Sequence, residues 1–127
     1  PKAADLDMAR FARRARMLKP DEFKAAFEKG RRYNDTLLTA VVSPNTLEYP
    51  RLGLALAKKS IPLAVSRNRI KRQARDSFRL NQQNLPAVDI VILGRPAAVK
   101  GSPAQLRAAL QNFWKRIAES CAALQSS

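Results

Sequence analysis

Histidine is absent from this chain of 127 residues, and cysteine occurs once, as Cys121. The first absence removes a Ser-His-Asp triad and the imidazole acid/base pair of a self-contained ribonuclease. The two together remove an internal disulfide framework and a Cys/His zinc site. Acidic groups are scarce, 10 Asp plus Glu against 24 Lys plus Arg, and they stand singly except at Asp5/Asp7 and Asp21/Glu22. Neither pair is placed to build a two-metal carboxylate cluster, and Asp35 and Asp89 carry no expected role. The four glycines form neither a P-loop nor a dinucleotide fingerprint. No apolar run approaches the roughly 20 residues of a membrane span, and the first residues lack the apolar stretch of a secretory signal. The expectations are therefore no protein-borne active site, no protein-held cofactor or metal, no membrane, and a cytoplasmic location.

What the chain has in excess is positive charge: a formal +14 and a pI near 11.1. Nucleic acid is the default partner of such a protein. The length suits one domain that buries its own core without staples. The expected organisation is a basic arm over 1–15, a single α/β domain over 16–124 and a frayed tail over 125–127. Residues 8 to 19 also carry the Arg-rich amphipathic pattern of an organelle transit peptide, but Asp5 and Asp7 argue against it, so an arm adding phosphate contacts is the expectation.

The densest information lies between Ser66 and Leu80. Wound at 100° per residue, Ile70, Ala74, Ser77 and Phe78 share one arc, while Asn68, Lys71, Arg72, Arg75 and Arg79 share the adjoining one. One side is made to enter a core and the other to meet anions. Arg67, Arg69, Lys71 and Arg72 crowd the first two turns, where the helix dipole disfavours cations, so an anionic partner is expected there.

Around this helix the pattern is mixed. Pro20-Asp21-Glu22 starts a helix that Gly30 stops, with Phe23, Ala26 and Phe27 on one side. Leu37 to Ser43 reads as a strand broken by Pro44-Asn45. Arg51 to Ala57 alternates, with Leu52, Leu54 and Leu56 on one face and Gly53, Ala55 and Ala57 on the other. Ser60 to Val65 reads as a loop, with Ser66 as N-cap of the basic helix. Val88 to Leu93 reads as a buried strand, so strand, basic helix and strand form a parallel crossover. After a loop from Gly94 to Pro103, a last helix carries Leu106, Leu110, Phe113, Trp114, Ile117, Cys121 and Leu124 as an apolar stripe facing the sheet, with Cys121 an inert buried thiol.

Arg67-Asn68-Arg69-Ile70-Lys71-Arg72, with Lys58-Lys59 and Ala64-Val65 before it and Arg75 and Phe78-Arg79 after it, resembles the signature of the bacterial ribonuclease P protein subunit. The order of elements resembles that family from about Met17 to Ala118. Two positions depart from its pattern: Pro62-Leu63 stands where many members have Gly-Asn, and Ala40 or Val41 stands for an aromatic on the central strand.

The resemblance implies a two-layer α/β sandwich, a small mixed sheet with helices packed on it and a left-handed crossover. It also implies a protein cofactor of a catalytic RNA that removes the 5′ leader from precursor tRNA, with magnesium held mainly by the RNA. On that reading Arg67, Asn68, Arg69, Lys71, Arg72, Arg75 and Arg79, with Lys58 and Lys59, bind RNA. Phe23 and Phe27 line a cleft for the single-stranded leader, and no obligatory protein partner is implied. Guanidinium clamps on phosphate and stacking of bases on rings are the chemistry such residues offer. The alternatives are a ribosomal or general RNA-binding structural protein and a DNA-binding helix module, the latter disfavoured because the basic helix lies between strands. A self-contained nuclease is the weakest reading.

Overall fold

The computed structural model describes residues 20–126 other than Thr46. The arm expected over 1–15, the side chain of Cys121 and Ser127 lie outside the described residues. In chain order the elements are α1 (Pro20–Lys29), β1 (Arg31–Asn34), β2 (Leu38–Pro44), β3 (Arg51–Ala55), α2 (Ala64–Asn81), β4 (Val88–Gly94) and α3 (Pro103–Ser126). Short 3-10 turns occupy Gln82–Asn84 and Pro96–Lys100.

The four strands form one mixed sheet in the order β1-β2-β4-β3. β2 is antiparallel to both β1 and β4, whereas β3 runs parallel to β4, so β3-α2-β4 is the expected parallel crossover. β2 and β4 are central and buried on both faces, which is why both read as nearly continuous apolar runs. β2 starts one residue late because the Leu37 amide donates to Asp35 Oδ2 at 2.9 Å in the preceding turn. It also runs one residue further, since Pro44 keeps its place opposite Val88 at the strand end. β3 stops at Ala55, and the Ala57 carbonyl accepts the amides of Ser60 and Ile61 in a turn.

β1 is an element absent from the sequence reading. Of Arg31, Arg32, Tyr33 and Asn34 only Tyr33 is buried, so the strand has too few apolar positions to show a period. Its ring enters the main core, with the Arg116 guanidinium 4.9 Å from its centroid.

The sheet has unequal faces. On one side Leu38, Ala40, Val42, Leu52, Ile90 and Ile92 meet α2 through Ile70, Ala74 and Phe78, and α3 through Leu106, Leu110, Phe113, Trp114 and Ile117. On the other side, among the described residues, the fully buried hydrophobics are Val41 and Val91, with Phe23 of α1, Ala55 and Leu93 packed around them. The two-layer core thus carries a third, thin layer in α1.

Local chemistry fixes the ends of these elements. Ser102 and Gln105 form a reciprocal capping box at the start of α3, with Ser102 N donating to Gln105 Oε1 at 2.9 Å and Gln105 N to Ser102 Oγ at 3.1 Å. Pro103 stands at the first helical position, where its missing N–H costs nothing. α2 differs from expectation here: it begins at Ala64, its cap is Leu63, and no side chain caps it, so Ser66 is helical and not the N-cap. The reason is Arg67, whose Nη1 donates to the carbonyls of Ile61 and Pro62 at 2.8 and 2.7 Å and draws the entry upstream.

At the other end of the sheet, Arg51 and Asp89, directly opposite in register, form a two-pronged pair at 2.8 and 2.7 Å. Asn45 Nδ2 also donates to Asp89 Oδ1 at 3.0 Å. Asp89 is therefore a structural partner.

Phe78 is wholly buried and meets Trp114 edge-on, with centroids 5.9 Å apart. Phe78→Ala is expected to lower unfolding free energy by about 3–5 kcal/mol in urea titration. Leu80→Ala, two residues away on the exposed side, is expected to stay within about 0.5 kcal/mol of the parent.

Candidate nucleic-acid interface

α2 owes its orientation to a narrow arc. Ile70, Ala74, Ser77 and Phe78 are its buried residues, the four that the helical period groups together. Trp114 Nε1 donates to Ser77 Oγ at 2.8 Å, Gln73 Nε2 to the Pro103 carbonyl, and Asn81 Nδ2 to the Ser77 carbonyl at 2.7 Å. With the buried side so fixed, the rest of the circumference faces outward as two flanks. Asn68, Lys71, Arg75 and Arg79 occupy one; Arg69, Gln73, Asp76 and Leu80 occupy the other, beside α3; Arg72 stands between them.

The electrostatics of this surface are one-sided. α2 has no acidic residue in its first turn and no capping side chain, so its N-terminal amides and the cations of its first two turns add their positive potential. No carboxylate among the described residues lies within ion-pair distance of Arg67, Arg69, Lys71, Arg72 or Arg75. Arg79 reaches Asp76 at 3.9 Å, an exposed i,i+3 contact of small energetic weight.

The anticipated RNA-binding residues divide by role. Asn68, Arg69 and Arg72 are exposed and Lys71, Arg75 and Arg79 half-exposed, all along α2. Lys58 and Lys59 stand exposed in the turn after β3. Arg67 is the exception in geometry, since its guanidinium already serves two loop carbonyls. Arg69 Nη2 makes a long contact, 3.4 Å, to the Val99 carbonyl.

The two phenylalanines of α1 also separate. Phe23 packs on Val41 and Val91, whereas Phe27 is 37% exposed. Val41, not Ala40, lies on the α1 side of the sheet. Register places Arg32, Val41, Val91 and Gly53 in one row across that face, so β1 brings Arg32 to its edge. Arg32 and, on α3, Arg107 are the cations that sequence reading missed. The alternation around Tyr33 is the signal for Arg32. Arg107 follows Leu106 of the apolar stripe and so had to flank it.

Together the residues offer multiple cationic donors, an amide with both donor and acceptor, and a partly open aromatic, which is equipment for phosphate and base contact. Among the described residues no three His, Cys, Asp or Glu side chains gather as a metal site requires.

Comparison with known proteins gives a consistent picture. The family model described as Ribonuclease P matches residues 11–118. A ribonuclease P protein component of Methylococcus capsulatus is 43% identical over 116 residues, covering 91% of this chain and 91% of its own length. Among solved structures, the Staphylococcus aureus RNase P protein superposes with a TM-score of 0.75 at 27% identity, over 80% of this chain and 93% of that one. The Thermotoga maritima RNase P protein gives 0.72 at 28% identity, over 80% and 96%.

A formed anion site must register in stability. Sulfate is expected to raise Tm beyond the effect of chloride at equal ionic strength, with a gain in unfolding free energy of about 2.7 kcal/mol per site at a hundredfold excess over its dissociation constant. Identical responses to the two salts would leave only general screening of the +14 charge.

Proposed function

The chain belongs to the ribonuclease P protein family, and from that premise we propose that it acts in the cytoplasm as the non-catalytic protein partner of a ribonuclease P RNA, removing the 5′ leader of precursor tRNA. The observation that carries this reading is the outer surface of α2, where Lys71, Arg72 and Arg75 have no carboxylate opposite them among the described residues. Cations clustered on one helix face without counter-charge raise the local positive potential and so attract an external anion. Closely spaced phosphates of a folded RNA supply it, and each contact releases condensed counterions.

Asn68, between two arginines, adds the power to read a sugar or base edge. Lys58 and Lys59 extend the track toward β3. Arg67 acts mainly by shaping the entry to α2. The 5′ leader lies between α1 and the sheet. Phe27 offers a ring to a base, Phe23 forms the floor with Val41 and Val91, and Gly53 and Ala55 leave room for a close approach. Magnesium is held mainly by the RNA, and the positive charge of the protein reduces how much of it the RNA needs.

Reconstitution tests this reading. The protein alone is expected to cleave no precursor tRNA, yet to restore 5′ processing by a ribonuclease P RNA at magnesium concentrations where the RNA is inactive by itself. Cleavage by RNA-free protein would overturn it, as would failure to stimulate the RNA.

A further inference from the structure

A groove runs between α2 and α3, on the flank turned away from Lys71 and Arg75. Its rim carries three guanidinium groups, Arg69, Arg72 and Arg107; Leu80 and Pro103 give it apolar surface, and Gln111 adds a donor and an acceptor. We infer that this groove is a second RNA-binding subsite, one that receives a single unpaired nucleotide of the partner RNA, with its base on Leu80 and Pro103 and its phosphate on Arg72 and Arg107. The inference rests on the reading of the chain as an RNA partner, and extends it from one flank of α2 to both.

Three observations carry it. First, the groove is preformed: Gln73 ties α2 to the Pro103 carbonyl, and Trp114 ties α3 to Ser77, so its walls need no ordering when a ligand enters. Second, Leu80, 71% exposed near the C-terminal end of α2, supplies the groove with open apolar surface beside its cations. A nucleobase would cover it, whereas duplex phosphates would not. Third, the charges complement a nucleotide and not a bare phosphate cluster. Arg72 and Arg107 have no carboxylate partner among the described residues, while Asp76, also lining the groove, offers acceptor-only oxygens. A carboxylate repels phosphate but accepts from an amino group on a base edge, and guanidinium planes can stack on the base itself.

The test is binding of the full chain and four variants to a ribonuclease P RNA over a range of salt. Arg107→Ala is expected to weaken binding about fivefold or more at low salt and to reduce the log-log salt slope by roughly 0.7 to 0.9, one phosphate contact. Leu80→Ser is expected to weaken binding about threefold or more with the slope unchanged, because no charge is removed. Gln111→Ala is expected to weaken binding more modestly, also at constant slope, and Lys115→Ala, an exposed α3 position that does not line the groove, to match the parent. Loss with Arg107→Ala but none with Leu80→Ser would reduce the groove to a phosphate contact and overturn the nucleotide subsite. So would parent-like binding by both. Absence of RNA binding by the unaltered chain would instead overturn the proposed function from which the subsite is built.

Discussion

The whole arrangement depends on how little of α2 is buried. Four residues of its eighteen, Ile70, Ala74, Ser77 and Phe78, hold it against the sheet and α3. The helix lacks the usual aids to its own formation, having neither a capping side chain nor an acid in its first turn, while arginines and a lysine oppose its dipole. Tertiary packing must therefore supply its stability, which is the general rule for helices but here an acute one. The completeness of burial at Phe78 and Ile70, and the Trp114 hydrogen bond to Ser77, are what let the outer surface carry so many cations.

The sheet divides its labour in the same way. Its α2/α3 face carries the extensive core, so the opposite face can be thin, with two fully buried valines and the partly covered Phe23. A small core under α1 suffices on this side, where Gly53 is buried, Ala55 half-buried and Arg32 exposed at the edge. The Arg51 and Asp89 pair with Asn45 closes the end of this face, with side chains only 16% and 11% exposed. Removing one partner there would leave a partly buried charge without its complement. Cations thus serve two ends: Arg51 and Arg67 are consumed inside the structure, and the outer α2 residues are left for a ligand.

Much of this was legible in the residues. The helical period separated the buried arc of α2 from its cations because the two residue classes differ so sharply in that segment. Alternation in Arg51 to Ala57 gave the correct facing of Leu52 and Ala55, and the long stripe of α3 left no other reading. Three features escaped, each for a physical reason. β1 has a single buried residue and so no period to detect. The start of α2 is set by the Arg67 side chain bonding back to Ile61 and Pro62, a contact no propensity encodes. The groove with Arg107 exists only once α2 and α3 lie side by side, and residues of two separate helices cannot be seen to meet in a linear pattern.

In the proposed function the outer flank of α2 is an RNA contact and not merely a solvated basic surface. It is tested most directly by replacing Lys71, Arg72 and Arg75 together with glutamine and measuring affinity for a ribonuclease P RNA against salt, with urea unfolding as a check on the fold. Near-parental stability is expected, with a log-log slope smaller by about 2 to 3, since three phosphate contacts are lost at roughly 0.7 to 0.9 each. A folded triple variant with the parental slope and affinity would contradict it.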